Sequence, residues 1–232
     1  MNNFYQNAAQ FPDNLVEMCS GFEESNVDSL WGLPQLTTAT QINIEDGLNY
    51  SFRADHSVYV RKSAGFGDAQ LVATYANPLY VDAPTNTINL RFFVYFAGLS
   101  SYGGSHPLVH LKYGDTRIGV GPSRTLEPVV FLSVGEKSTS AVAQARGITL
   151  SGDTYNGLEL QINASEQTLS LWKDGLCLDA FKGPTLDSPQ NVTVEFGVLE
   201  PMDIGPAEGQ LFYLDEIAVD AEPIGFVTFA GR

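Results

Sequence analysis

Apolar and polar residues alternate along short runs of this chain, and Gly, Pro, Asn and Asp recur between the runs. A period of two puts successive side chains on opposite faces of an extended strand. Strands are therefore expected over 49–54, 69–75, 87–96, 108–113, 116–120, 129–134, 158–163, 168–173, 176–181, 192–198 and 210–219. Many short strands cut by turn residues predict an all-β sandwich or barrel.

The sharpest local signal runs from Thr168 to Phe181. It alternates on both sides of Asp174-Gly175, a pair that supplies the positive φ angles of a type I′ turn, so a β-hairpin is expected there. Leu169 and Leu171 fall on one face of it, Ser170 and Trp172 on the other. The run Thr87–Phe96 is apolar on both faces after Arg91, which predicts a central strand covered on both sides. Only 138–147 offers a helix candidate, and it reads equally well as a strand. No repeat or linker divides the chain. Residues 1–18 read as an N-terminal arm, 19–221 as one domain, and 222–232 as an apolar tail suited to a last strand or an interface.

Composition narrows the partners. The chain has 232 residues, 44% of them apolar and 17% charged, enough to bury a sizeable core. Its 12 cations against 27 acids leave a net charge of −15. That balance repels nucleic acid and anionic lipid alike. No apolar run approaches the roughly 20 residues of a membrane span. The first 20 residues lack a basic region and an apolar stretch, so no secretory signal is expected. The expected location is a virion or other large assembly, otherwise the cytoplasm or an export route without a signal peptide. Cys19 and Cys177 are too few for a disulfide scaffold and read as half-buried thiols or a single bridge. The three Asn-x-Ser/Thr triplets, at Asn49, Asn163 and Asn191, read as chance in this composition.

Candidate chemistry is sparse. His106 and His110 have the spacing of a zinc helix, but Pro107 and the surrounding pattern make the segment a strand. Four residues along a strand span roughly 13 Å, too far for one metal. They are expected at the surface or rim. Gly65-Phe-Gly67 and Gly119-Val-Gly121 lack a following helix and read as turns. Aromatic rings carry the remaining binding potential, since sugar C–H groups meet the electron-rich ring face. Tyr102, in the loop 98–105, is the leading candidate ligand contact, followed by Trp172 and Tyr113. Core packing is the competing role for each.

Four segments in order resemble the concanavalin A-like lectin/glucanase superfamily in its LamG-like form. They are Gly21–Trp31 (GFEESNVDSLW), Gly47–Arg53 (GLNYSFR), Leu158–Gly175 with its Asp-Gly hairpin, and Gly209–Val219 (GQLFYLDEIAV). The resemblance spans most of the chain and implies a jelly roll of two antiparallel sheets. It also implies a structural Ca²⁺ held by Glu23 and Asp215, hard oxygen donors of the kind that ion takes. The glucanases of this superfamily carry Glu-x-Asp-x-x-Glu, and the chain lacks it. Glu195 with Glu200, and Asp215 with Glu216, are spaced to lie on opposite strand faces. No enzyme activity is expected; a polysaccharide lyase or glycoside hydrolase is the remotest reading. The expected function is a non-catalytic recognition or assembly module, foremost a structural or decoration protein of a large assembly such as a phage head or tail. Its partners would then be assembly proteins or further copies of itself. The alternative is a Ca²⁺-stabilised, carbohydrate-binding lectin-like domain.

Overall fold

The computed structural model describes residues 17–20, 35–36, 40–46, 56–62, 71–74, 79–81, 87–97, 105–135, 140–145, 147–186, 190–198 and 211–225. Every regular element among them is a strand. In chain order they are β1 (Glu17–Ser20), β2 (Gln35–Leu36), β3 (Thr40–Asp46), β4 (His56–Lys62), β5 (Leu71–Thr74), β6 (Leu79–Val81), β7 (Thr87–Phe96), β8 (Val109–Tyr113), β9 (Thr116–Pro122), β10 (Pro128–Val134), β11 (Ser140–Gln144), β12 (Tyr155–Asn163), β13 (Thr168–Lys173), β14 (Leu176–Lys182), β15 (Gln190–Val198) and β16 (Leu211–Asp220).

They form two antiparallel sheets. Sheet A has the order β14-β13-β12-β7-β16-β4-β3, and sheet B the order β11-β10-β9-β8-β15-β5-β2. Each sheet has one long strand shared end to end by two shorter neighbours. In sheet A, β16 pairs with β4 through 211–214 and with β1 through 217–220. In sheet B, β15 pairs with β5 and with β6.

The alternation along each strand builds the core. Leu90, Phe92, Val94 and Phe96 of β7 point inward with Leu158, Leu160 and Ile162 of β12 and Phe212 and Leu214 of β16. Val109 and Leu111 of β8, Ile118 and Val120 of β9 and Val192, Val194 and Phe196 of β15 complete the same cluster from sheet B. Each such side chain contributes about 1.5–3 kcal/mol by leaving water.

The expected sandwich is the fold observed, and its local signals hold in detail. β7 is buried on both faces from Ile88 to Val94. The β13–β14 hairpin turns through Asp174 (φ 49°) and Gly175 (φ 83°), both left-handed as a type I′ turn requires. Segment 138–147 contains a strand, β11. Five strands were not anticipated, β1, β2, β3, β4 and β6, although Ile42 and Ile44 of β3, and Val58 and Val60 of β4, alternate. The expected strand over 49–54 lies outside the described residues. Cys177 is exposed and unbridged rather than half-buried, because it sits on the edge strand β14.

Candidate functional site

The face of sheet A turned away from the core is aromatic and polar. Facing residues of adjacent strands share a face, so its side chains fall into rows. One row is Tyr155 of β12, Tyr95 of β7 and Tyr213 of β16, with Tyr59 of β4 at the next register position. The second is Gly157, Phe93 and Asp215. The third is Trp172, Glu159, Arg91 and Ala218. The fourth is Ser170, Gln161, Asn89 and Asp220.

In the tyrosine row, the Tyr95 and Tyr155 ring centroids lie 5.5 Å apart, and those of Tyr95 and Tyr213 lie 5.9 Å apart nearly edge-on. Both spacings fall in the favourable range for aromatic pairs. Tyr95 and Tyr155 are half-buried, whereas Tyr213 is buried. Burial pushes the Tyr155 phenol well above its usual range, and the Asp215 carboxylate adds to this; the Ser57 hydroxyl pulls weakly the other way. Tyr155 is therefore a neutral O–H group at any ordinary pH.

A loop supplies the rim of the row. Tyr95 Oη donates to Asp153 Oδ1 at 3.4 Å, and Asp153 is exposed to solvent. The loop is pinned by Asn156, whose side chain is 1% exposed. Its Oδ1 accepts from Ser151 N at 2.8 Å, and its Nδ2 donates to the carbonyls of Ser151, Thr154 and Val94 at 2.9, 3.1 and 3.3 Å. Asp153 N donates in turn to Phe96 O at 2.9 Å.

A bulge in β16 corrects one sequence expectation. Pairing with β7 shifts register between Asp215 and Ala218, and Glu216 adopts φ 46°. An extra residue in one strand breaks the alternation. Asp215 and Glu216 consequently share the outer face instead of pointing to opposite ones. Asp215 is fully buried and accepts from Glu216 N at 2.7 Å. Glu216 Oε2 pairs with Arg91 Nη2 at 3.3 Å.

Arg91 and Glu159 of the third row hold the chain that follows β16. Glu159 accepts from Ile224 N and Gly225 N at 2.9 and 3.1 Å, and Arg91 Nη1 donates to Gly225 O at 3.0 Å. Burial raises the Glu159 carboxyl above its ordinary range, against the pull of those two amides and the Arg91 charge.

Sheet B has its own polar centre on its outer face. His110 is buried and its Nε2 pairs with Glu195, its cross-strand neighbour. Burial favours the protonated acid at Glu195, but the His110 hydrogen bond, with the charges of His110, Lys112 and Arg117, outweighs it and holds the carboxyl below its usual value. His106 is likewise buried, against Phe212. Both histidines were expected at the surface or rim. The close approach of residues 106–107 to Gly119 and Gly121 covers this part of the sheet.

Of the residues expected to contact a ligand, Trp172 is half-buried on the outer face of sheet A, beside Glu159. Tyr113 is 3% exposed and belongs to the core, because it shares a strand face with Val109 and Leu111; it presents no ring to a ligand. Tyr102 and Glu23 lie outside the described residues. Asp215 is then the sole described member of the expected Ca²⁺ pair. Among the described residues no three His, Cys, Asp or Glu side chains converge, so these alone do not build the oxygen cage that Ca²⁺ needs. The tyrosine row was missed. Each of its tyrosines sits at an outward position of its own strand, but only strand pairing brings them together.

No protein-family model and no curated protein matches the chain. Solved structures do. The cellulose-induced protein Cip1 is similar over 90% of this chain and 100% of its own, at 13% identity and a TM-score of 0.58. The binding domain of botulinum neurotoxin serotype G is similar over 83% of this chain and 44% of its own, at 7% identity and a TM-score of 0.53. A botulinum neurotoxin type C structure, described as depending on two ganglioside molecules for cell entry, is similar over 80% of this chain and 44% of its own, at 12% identity and a TM-score of 0.53. At these identities the likeness is one of fold, and it agrees with the antiparallel two-sheet sandwich described above.

Proposed function

We propose that the protein is a non-catalytic recognition module that binds a saccharide on the tyrosine row of sheet A. The observation that carries this reading is the pair of half-buried rings, Tyr95 and Tyr155, 5.5 Å apart with the exposed Asp153 carboxylate hydrogen-bonded at their edge. Ring faces take sugar C–H groups, while a carboxylate and neutral phenols accept and donate to hydroxyls. The ganglioside dependence described for the type C neurotoxin is in keeping with a sugar ligand on such a sandwich. A broad glycan panel probed with the full chain tests it. Binding should fall at least tenfold in Tyr95→Ala and in Asp153→Ala. Absence of binding to every glycan would overturn it.

A second reading has its own observation. The chain after β16 is gripped by buried side chains through its backbone. This suits a structural or decoration component of a large assembly, such as a phage head or tail, in which a segment beside the sandwich joins subunits. Sedimentation of the native protein across a density gradient tests this reading. Co-migration with a large particle supports it, and recovery only as a small species counts against it.

A further inference from the structure

The tyrosine row ends on a carboxylate carried by a special backbone. Asp153 has φ 55°, the left-handed conformation in which glycine is the default residue and aspartate one of the few others tolerated. Its amide donates to Phe96 O at 2.9 Å, and its Oδ1 accepts from Tyr95 Oη at 3.4 Å. Asp153 is exposed, so a carboxylate stands in water beside two half-buried rings.

Aromatic faces and a carboxylate together are the chemistry that recognises an ammonium group. A cation is drawn to a tyrosine face when it lies within roughly 6 Å of the ring centroid. The phenolic oxygen stands at the end of its own ring, so a cation bonded to Asp153 can come within that reach of Tyr95. The rings of Tyr95 and Tyr155 are inclined at 51°, so their faces point in different directions and do not make one flat platform. Charge favours the same ligand. The chain carries −15 overall, and the buried carboxylate of Asp215 lies in the adjacent row. Arg91, two rows away, pairs with Glu216, and Arg61 of β4 stands at the row's other end, two positions beyond Tyr59. The phenols of Tyr95 and Tyr155 add donors and acceptors for hydroxyls, which flank the amine on a sugar ring and which a lysine side chain lacks.

We propose, on the saccharide reading above, that the Asp153–Tyr95–Tyr155 end of the row recognises an amino sugar. Asp153 takes the ammonium group, and the rings take the carbon face that carries it. The ligand class is thereby narrowed to basic saccharides over neutral and acidic ones.

Titration calorimetry of the full chain at mildly acidic pH tests it, with a glucosamine trisaccharide, the N-acetylglucosamine trisaccharide of the same linkage, and a trilysine peptide. The basic trisaccharide should bind about tenfold more tightly than either of the others. Asp153→Asn keeps an acceptor for Tyr95 and suits the left-handed backbone; in it the preference for the basic sugar should fall to about threefold, the share of the rings alone. Asp179→Asn removes the same charge from the exposed edge strand β14 and should leave the preference unchanged. Neutral glycans that bind as tightly as the basic trisaccharide overturn the inference and leave the saccharide reading standing. A preference that survives Asp153→Asn also overturns it, since the acidic surface at large would then be its source. Tighter binding of trilysine overturns it in favour of a protein ligand. No binding of any saccharide removes the saccharide reading and the amino-sugar site with it.

Discussion

Replacing Asn156 by Ala removes four hydrogen bonds, to Ser151 N, Ser151 O, Thr154 O and Val94 O. Ser151 and Thr154 are exposed, so water can replace part of what those groups lose. The contact to Val94 O is buried and has no such replacement. Taking about 1 kcal/mol net for each bond that water does not restore, plus the buried volume vacated, the loss comes to about 3 kcal/mol. For a domain of this size that is a fall in Tm of about 6–12 °C. Asn156→Asp sharpens the test. It keeps an acceptor for Ser151 N but sets a carboxylate against three carbonyls, and it should cost more than the Ala change. Urea unfolding and calorimetry at neutral pH measure both. The same loop holds Asp153 at the edge of the tyrosine row, so glycan affinity should fall with stability in both variants. A loss under about 1 kcal/mol for Asn156→Ala, or an Asp variant more stable than the Ala one, would refute the account of how the loop is held.

The other predictions concern the opposite sheet and the metal. In Gly121→Ala the new methyl would collide with the His106 carbonyl and crowd Pro107 Cα, both of them backbone atoms; urea unfolding should show a loss of about 2–3 kcal/mol or more. Glu195 has a lowered carboxyl pKa in the folded protein, so its stabilising contribution is present above the ordinary value of 4.5 and is lost as pH falls through the folded value. His110→Leu should therefore destabilise the protein at neutral pH, with a deficit against the native chain that shrinks on acidification below that value. A deficit independent of pH in urea titrations would contradict this. Ca²⁺ on Glu23 and Asp215 remains a proposal from the sequence resemblance: chelation should lower Tm, and Asp215→Asn should abolish the difference. Identical melts with and without EDTA would end it.

Much of this fold was legible in local pattern. Thr168–Phe181 could be read as a hairpin because alternation and an Asp-Gly pair are properties of neighbouring residues. The part of β7 after Arg91, apolar on both faces, announced a central strand because both of its faces are covered. Tyr113 shows where such reading stops. Alternation places it on a face with Val109 and Leu111, but a tyrosine suits a core and a binding surface equally, and only packing against the second sheet chose the core.

The candidate site belongs almost wholly to tertiary structure. Tyr95, Tyr155 and Tyr213 are separated by long stretches of sequence and become neighbours through the pairing of β12, β7 and β16. The bulge at Glu216 placed two adjacent carboxylates on one face, against the strand period that would have parted them. Asn89 and Arg91 donate to residues more than 130 positions away. Sequence alone determined which segments are strands and which of their faces are apolar, because those depend on residues next to one another. Which strands pair, in what register, and hence which polar side chains meet, was decided by closing the two sheets over one core. That is a cooperative choice, and no single segment encodes it.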